Sequence, residues 1–350
     1  MPYTSSMPAP PPSQELIDSF PCTYPGGPWH ECKRLTWYRL LRRLRKRRDR
    51  RAGPAPVAFS LRGQEASDRI RALLEDAAPC MISRFGGVEM RTAVNFLGIH
   101  APGPLTSRLR RYLDGQGGPW WWDDRTSREM VRQAGFFPGS PEHLDRYARL
   151  FLADSTQVDL LGSWSPDEAL MPVPPHLARV PLIDLEPYRH PKPWSETLRG
   201  RKVLVAHPFE SSIRTQYARR TELFKDPRVL PDFHLQTFRT VQSLGGHCPG
   251  YANWFEALEA METAIAAQDF DVAIIGAGAY GMALAAFVKR ELGRKAIHLG
   301  GATQILFGIK GRRWDAWPEY AQDLYNASWI RPLPEETPAA AGKVEGACYW

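Results

Sequence analysis

Glycine clusters follow two short apolar runs in the C-terminal third of the chain. Residues 272–275 lead into GAGAYG, residues 276–281, and residues 295–299 lead into Gly300-Gly301. Apolar runs of this length that end in glycine predict buried strands, each followed by a turn and a helix. In open parallel sheets, ligands bind at the carboxyl ends of the strands, because helix N-termini and bare N–H groups there attract anions such as a diphosphate.

Gly276, Gly278 and Gly281 match the GxGxxG pattern of dinucleotide-binding folds. That fingerprint also requires an acidic residue about 20 residues after the glycines, where it binds a ribose hydroxyl. The next predicted strand ends instead in His298, Leu and Gly300. Three interpretations stay open: a nicotinamide or flavin site, glycines that serve only helix-on-strand packing, and a phosphate or nucleotide-sugar site, which we favour.

A second candidate group is RFGGVE, residues 84–89, which follows the apolar run 80–82. Arg84 would lie at a strand end, where its guanidinium could neutralise a diphosphate leaving group. Glu89 would lie in the first turn of the next helix, where the helix dipole favours its carboxylate, and could act as a base or bind a metal or a sugar hydroxyl. A structural ion pair between these two residues is the alternative.

His207 follows residues 202–206, the clearest strand pattern in the middle of the chain. It could serve as an acid or base or bind a ribose, and a structural histidine is the alternative. Ser211 or Ser212 would cap the following helix and leave N–H groups for a phosphate.

A cationic cluster, Lys310, Arg312 and Arg313, follows the second glycine turn and a short apolar segment. Charge clusters are usually solvated, but this one lies beside the predicted anion-binding edge, so we expect Lys310 and Arg313 to contact phosphate. Gln304 would lie in a helix that begins over the same glycine turn.

These motifs resemble those of the GT-D fold glycosyltransferases. The chain has RFGGVE where the family has RFGDGE, and it has GAGAYG and AIHLG where the family has a similar glycine loop and QAIDIG. The resemblance spans roughly residues 78–311 and implies an α/β fold with a Rossmann-like, doubly wound, mostly parallel sheet. The family holds a divalent metal, Mn²⁺ or Mg²⁺, with an Asp-x-Glu pair. Here Gly87 replaces the Asp, so Glu89 is the remaining metal ligand.

The resemblance implies that a sugar moves from a nucleotide-sugar donor to a glycan or lipid-linked acceptor, as in bacterial surface polysaccharide synthesis. Glu89 and His207 are then the catalytic candidates. The predicted donor-binding residues are Arg84, Phe85, Gly86, Ser211, Gly276, Gly278, Tyr280, Gly281, His298, Gly300, Gln304, Lys310 and Arg313. Two alternatives are an NAD(P)-dependent oxidoreductase that uses the GxGxxG loop and a noncatalytic assembly protein of the same fold.

The composition divides the chain into three parts. Hydrophobic residues make up 43% of its 350 residues, enough for a sizeable core. Residues 1–56 are rich in Pro, Ser, Gly and then Arg, and predict a disordered basic tail. Residues 57–331 form the predicted α/β domain. Residues 332–350 form a C-terminal arm, and we expect its aromatic end to dock back on the body near the site.

Residues 33–51 contain eleven Lys or Arg against the single Asp49, whereas the net charge of the whole chain is only +7. The positive charge therefore belongs to this segment, and nucleic acid is not an expected partner of the body. Leucines and aromatic residues interleave with the arginines, which predicts a short helix with an apolar side and a cationic side. That pattern suits an anionic membrane surface. A solvated tail, and nucleic acid or another acidic partner, stay as alternatives.

Further periodic segments complete an alternating pattern of strands and helices. Strands are predicted over residues 158–162, 181–185 and 234–241, and helices over residues 64–76 and 253–268. No run reaches the roughly 20 apolar residues of a bilayer span. The five cysteines lack CxxC spacing, so neither a zinc site nor a disulfide framework is indicated. We therefore expect a cytoplasmic protein. It would be peripheral at the inner face of the cell membrane if the basic helix binds there.

Overall fold

A computed structural model of the chain describes residues 33–48, 56–174, 177–243, 248, 250–338, 341–343 and 347–350. These residues form an α/β fold around a seven-stranded sheet. The strands are β1 (Met81–Arg84), β2 (Leu160–Ser163), β3 (Ala178–Pro181), β4 (Lys202–Ala206), β5 (His234–Phe238), β6 (Val272–Ile275) and β7 (Lys295–His298). Their order is β3-β2-β1-β7-β6-β4-β5, and all of these pairings are parallel. The predicted α/β class is confirmed, and the sheet is compatible with a Rossmann-like fold.

Helices cover both faces of the sheet. The α-helices are α1 (Lys33–Arg48), α2 (Gln64–Glu75), α3 (Gly87–Ile99), α4 (Leu105–Leu113), α5 (Asp124–Gln133), α6 (Pro141–Ser155), α7 (Glu210–Ala218), α8 (Trp254–Ala266), α9 (Tyr280–Arg290), α10 (Ala302–Leu306), α11 (Arg312–Asp315) and α12 (Pro318–Ala321). Helices α3, α5, α6, α8 and α9 share one buried cluster, which includes Phe96 and Trp254. Helices α2, α7 and α10 to α12 belong to the cluster on the opposite face, with Ile70 and Ile213.

Right-handed crossovers explain which helix covers which face. The chain moves from β1 to β2 and from β6 to β7 in the same direction across the sheet, and α3 and α9 lie on the same face. It moves from β4 to β5 in the opposite direction, and α7 lies on the other face, as a right-handed connection requires. The chain therefore leaves β4 and β6 towards opposite faces of the sheet. The crevice between such strand ends is where open α/β sheets bind ligands.

The strand predictions over residues 202–206 and 272–275 are confirmed with these bounds. The prediction over residues 181–185 is wrong, because the strand is β3 and residues 182–185 form a 3₁₀ helix. Leu182 and Leu185 pack against the core, whereas Ile183 is 51% exposed. Inward-facing residues three positions apart follow the period of a 3₁₀ helix and not that of a strand.

Helix α1 is confirmed as a helix, and it packs against the body beside α4. The rings of Tyr38 and Trp120 meet edge to face with centroids 5.3 Å apart. The Arg42 guanidinium lies 4.5 Å from the centre of the Tyr112 ring. These contacts join α1 to the folded domain. The flexible tail over residues 1–56 stays a prediction.

The rest of the predicted tail, residues 1–32 and 49–55, lies outside the described residues. Within the described ranges, no helix combines the length and the apolar character needed to cross a bilayer.

The N-terminus of α7 is capped by a carboxylate from the C-terminal arm. Glu336 accepts hydrogen bonds from the backbone N–H of Ser211 at 2.6 Å and of Ser212 at 3.2 Å, and also from the Ser212 hydroxyl. The two serines were expected to cap the helix themselves. Both lie inside its first turn instead, so their N–H groups need an acceptor from elsewhere, and the carboxylate also complements the helix dipole.

Replacing Glu336 by Ala removes this cap. We expect the free energy of unfolding to fall by about 1–2 kcal/mol, because buried N–H groups lose their acceptor. The exposed neighbour Glu335 provides the matched control, and Glu335→Ala should change stability by less than about 0.5 kcal/mol. Urea titration measures both variants, and equal stability of the two would contradict the capping role.

Candidate functional site

A cavity of about 380 Å³ lies at the carboxyl edge of the sheet, above the ends of β1, β4, β6 and β7. Its volume is in the range of small-molecule sites. The predicted residues that line it are Arg84, Gly86, Glu89, His207, Gly276, Gly278, His298, Gly300, Gln304 and Arg313. The sheet register explains why they meet. Ile275 pairs with both Ala206 and His298, so the residues that follow β4 and β6 reach the level at which β7 ends.

Arg84 ends β1 and presents a cation without a counter-ion to this cavity. Its Nη2 donates to the Phe85 carbonyl oxygen at 2.9 Å, and its Nε is buried without a hydrogen-bond partner. No carboxylate of the described residues forms an ion pair with it within 4.0 Å, so the alternative of a structural pair with Glu89 is not observed. A half-buried, unpaired cation is costly, and a bound anion would supply the missing charge.

Glycines bring the turns after β6 and β7 into contact. A Cβ at Gly276 would lie 2.6 Å from the Gly300 carbonyl oxygen and 2.6 Å from Cδ2 of His207, so any side chain there would force the turns apart. Gly300 has a φ of +60°, and a Cβ on it would lie 3.1 Å from Nη1 of Arg84. The glycines thus have a packing role, and the same packing brings the Arg84 guanidinium against the second turn.

Glu89 lies in the first turn of α3, which begins at the cavity. Its carboxylate bends back over Gly86 and occupies the space that a Cβ at position 86 would take. Among the described residues that line the cavity, it has the one side-chain carboxylate. The helix dipole favours a negative charge at this position. A carboxylate so placed can accept a proton from, or bind, a group in the cavity.

Trp164 fills the space in front of Gly87. Its Nε1 donates to the Phe85 carbonyl oxygen at 3.0 Å, and a Cβ at Gly87 would lie 3.1 Å from its Cη2. An Asp at position 87, as in the motif of the GT-D fold family, would therefore require the indole to move. Trp164 is 45% exposed and lines the cavity. Aromatic side chains of this kind are surfaces on which nucleotide bases stack.

The expected Mn²⁺ or Mg²⁺ has one side-chain carboxylate available among the described residues that line this cavity, that of Glu89. The described residues contain no group of three or more His, Cys, Asp or Glu side chains suited to a metal. Mg²⁺ often binds through one or two carboxylates together with substrate phosphates. Glu89 therefore fits such an ion together with a bound diphosphate.

His207 follows β4 and is buried at the cavity wall. Its Nδ1 accepts a hydrogen bond from the Phe209 N–H at 3.0 Å, and burial lowers the pKa of the ring to about 3. The ring is therefore neutral at pH 7, with its proton assigned to Nε2. The lone pair that a general base would use is already engaged, so the geometry does not support the predicted base role. Nε2–H can instead donate to a phosphate or ribose oxygen.

His298 ends β7 behind the Arg84 guanidinium. Its Nδ1 lies 3.1 Å from the Ser83 hydroxyl oxygen. Burial and the neighbouring Arg84 cation lower the pKa of His298 to about 3, so this ring is also neutral at pH 7. A Cβ at Gly281 would clash with the imidazole. The third glycine of the GxGxxG pattern therefore makes room for this histidine ring.

The aromatic end of the chain docks at the cavity, as its composition predicts. Tyr349 and Trp350 line the cavity, and a Cβ at Gly301 would lie 2.7 Å from Cε1 of Tyr349. The Arg313 guanidinium lies 4.7 Å from the centre of the Tyr349 ring. Gln304 donates to the Tyr349 carbonyl oxygen at 3.2 Å, and its own Oε1 is buried without a hydrogen-bond partner. One wall of the cavity thus depends on the C-terminal arm.

Five predicted donor-binding residues do not line the cavity. Phe85 and Tyr280 are buried in the apolar layer between the sheet and its helices. Gly281 packs against an imidazole, and the Ser211 N–H is paired with a carboxylate of the C-terminal arm. The Lys310 ammonium lies 5.4 Å from the centre of a tyrosine ring. The geometry gives these side chains no contact with a ligand in the cavity.

Trp164, Phe209 and Gln242 line the cavity but were not predicted from the sequence. Trp164 directly follows β2, the neighbour of β1, and a position just beyond a parallel strand is the signal that could have identified it. Phe209 and Gln242 lie in the loops after β4 and β5, and no local pattern marks them.

No protein-family model, curated protein or solved structure matches the chain. Parallel α/β sheets host many unrelated chemistries, so the fold by itself assigns no activity. The proposals below therefore depend on the motifs and on the geometry of the cavity.

The two histidines that line the cavity, His207 and His298, predict a loss of stability at acid pH. Folding lowers the pKa of both rings from 6.5, so the folded state favours the neutral rings. The stability that depends on the neutral rings is fully present above about pH 6.5, and it is lost as the pH falls towards 3. Between pH 7 and pH 5, each ring should lower the free energy of unfolding by about 2 kcal/mol.

Urea titrations between these pH values measure the change. His298→Gln should remove about 2 kcal/mol of the pH dependence. His234→Gln, which changes an exposed ring, should leave the dependence as it is in the wild type. The same dependence in the wild type and His298→Gln would contradict the neutral state of His298.

Proposed function

We propose that the chain is a glycosyltransferase that binds the diphosphate of a nucleotide-sugar donor in the cavity at the carboxyl edge of the sheet. The observation that carries the proposal is Arg84, whose Nε is buried without a partner and whose charge has no carboxylate partner among the described residues. A diphosphate matches the fork of a guanidinium and supplies the missing charge.

The other groups of the cavity suit the remaining parts of such a donor. The N-terminus of α3 and the turn at Gly300 line the cavity and can offer backbone N–H groups to further phosphate oxygens. Trp164 offers an aromatic face to the base or the sugar ring. His207 offers Nε2–H to a hydroxyl or phosphate oxygen, and Arg313 provides a second cation that lines the cavity.

In the proposed reaction, the acceptor hydroxyl attacks the anomeric carbon of the donor sugar. A bond forms between the acceptor oxygen and that carbon, the bond from that carbon to the diphosphate oxygen breaks, and the nucleoside diphosphate leaves with the bonding electrons. Glu89 accepts the hydroxyl proton, and Arg84 stabilises the charge on the leaving group. A divalent ion bound by Glu89 and the diphosphate would neutralise the same charge. The resemblance suggests a glycan or lipid-linked acceptor.

The end of β7 favours this proposal over an NAD(P)-dependent oxidoreductase. Dinucleotide-binding folds place an acidic residue there, which binds a ribose hydroxyl. This chain has His298 instead, buried and packed against the third glycine of the GxGxxG pattern. The histidine occupies the place in which the ribose-binding carboxylate would be expected.

Arg84→Gln separates ligand binding from folding. Because Arg84 lacks a carboxylate partner, we expect the Tm without ligand to stay the same or rise, whereas affinity for the donor falls about 10–100-fold with the loss of charge-assisted hydrogen bonds. Thermal-shift titrations with UDP- and dTDP-sugars, with and without Mn²⁺, measure both quantities.

Arg71→Gln is the matched control, since Arg71 pairs with Glu196 at 3.1 Å on the other side of the sheet. It should lower the Tm and leave donor affinity unchanged. Stabilisation by NAD alone would favour the oxidoreductase. Equal donor affinity in the wild type and Arg84→Gln would overturn the assignment of the diphosphate site.

Glu89→Gln tests the reaction itself. The variant should bind the donor, but release of nucleoside diphosphate should fall about 100-fold or more, because an amide cannot accept the proton. Glu259→Gln, on the exposed side of α8, is the control and should react like the wild type. Donor binding without turnover in the wild type, or equal rates in both variants, would point to a noncatalytic protein of the same fold.

A further inference from the structure

The exposed side of helix α1 is apolar. Trp37, Leu40 and Leu44 are 56%, 43% and 48% exposed. Residues at positions i, i+3 and i+7 share one side of a helix, so these three side chains form a continuous stripe. A helix on the surface of a soluble protein usually shows the reverse arrangement, with its apolar side turned to the body. Packing within the described part of the chain does not account for this stripe.

The side of α1 that faces the body carries arginines and the aromatic ring of Tyr38. Arg39 forms an ion pair with Asp123 at 3.0 Å, and Arg45 forms one at 2.5 Å with Asp114, which follows α4. The Arg42 guanidinium lies over the ring of Tyr112. Together these contacts determine the rotation of α1 about its axis, and so they hold the apolar stripe outward.

Positive charge borders the stripe. Arg43 is exposed on the same helix, and Lys46, Arg47 and Arg48 follow in the sequence. On the adjacent α4, the side chain of Arg110 is 85% exposed. A nucleic acid would balance these charges but leave the stripe in water. An anionic lipid surface matches both features, because its phosphates pair with the cations and its acyl boundary takes up Trp and Leu side chains.

We propose that α1 docks the protein on an anionic membrane surface, with the stripe of Trp37, Leu40 and Leu44 inserted at the headgroup boundary. This proposal stands independently of the proposed function.

Cosedimentation of the 350-residue chain with vesicles tests the proposal. We expect binding to phosphatidylcholine vesicles that contain phosphatidylglycerol and little binding to phosphatidylcholine alone, with affinity that decreases as salt rises. Replacing all three stripe residues by Ala should lower the partition coefficient about tenfold or more, since less apolar area is buried. Arg43→Gln should lower it about fivefold.

Two controls lie away from α1. Trp317 is 55% exposed, close to the value of Trp37, and it lies between α11 and α12 on the opposite side of the sheet. Trp317→Ala should leave vesicle binding unchanged, whereas Trp37→Ala should weaken it. The exposed Arg199→Gln is the corresponding control for Arg43→Gln. Thermal unfolding shows that each variant is folded.

Three results would overturn the proposal. The first is equal vesicle binding by the Trp37→Ala and Trp317→Ala variants. The second is binding of duplex nucleic acid by a chain that does not bind anionic vesicles. The third is a dimer in light scattering that Trp37→Ala converts to a monomer, since the stripe would then be an interface between two copies.

Discussion

The close approach of the turns after β4, β6 and β7 is the constraint on which the candidate site depends. Neighbouring strands lie about 4.8 Å apart, so turns above them have little room for side chains in between. Gly276 and Gly300 meet this constraint, because a Cβ on Gly276 would lie 2.6 Å from the Gly300 carbonyl oxygen. The floor of the cavity is therefore largely backbone. Longer side chains from neighbouring elements, Arg84 and Trp164, form its walls.

The electrostatics of the cavity follow from the same packing. His207 and His298 are buried, and burial lowers the pKa of both rings to about 3. Neutral rings do not compete with Arg84 for an anion and do not offset its charge. Glu89 lies at the start of α3 without forming an ion pair with Arg84. Because the Arg84 guanidinium and the Glu89 carboxylate do not pair, each is available to a ligand. Leaving both unpaired lowers the folding stability, as is common at functional sites.

Segments outside the sheet complete the structure around this edge. The C-terminal arm places Glu336 at the N-terminus of α7 and Tyr349 against the second glycine turn. Helix α1 lies beside α4, and its ion pairs orient an apolar stripe towards solvent. The arm thus forms part of the cavity wall, and α1 packs beside α4.

The sequence by itself determined the local elements. Apolar runs that end in glycine identified β6 and β7, and the position of Arg84 at a strand end was correct. The pattern within residues 33–51 predicted a helix, which is observed as α1. These signals are local, because strand and helix periodicity depend on residues only a few positions apart. They also placed the glycine turns on a common edge, since parallel strands end at the same side of a sheet.

The tertiary structure decided which groups meet. Ser211 looked like part of a phosphate site, but its N–H is paired with Glu336, 125 residues away. Tyr280 belongs to the glycine segment, yet its ring stacks on Trp254 in the core. The Nδ1 of His207 is already paired, because it accepts a hydrogen bond from the Phe209 N–H. These partners depend on chain topology and on packing between residues that are far apart in the sequence. Local periodicity therefore does not predict them.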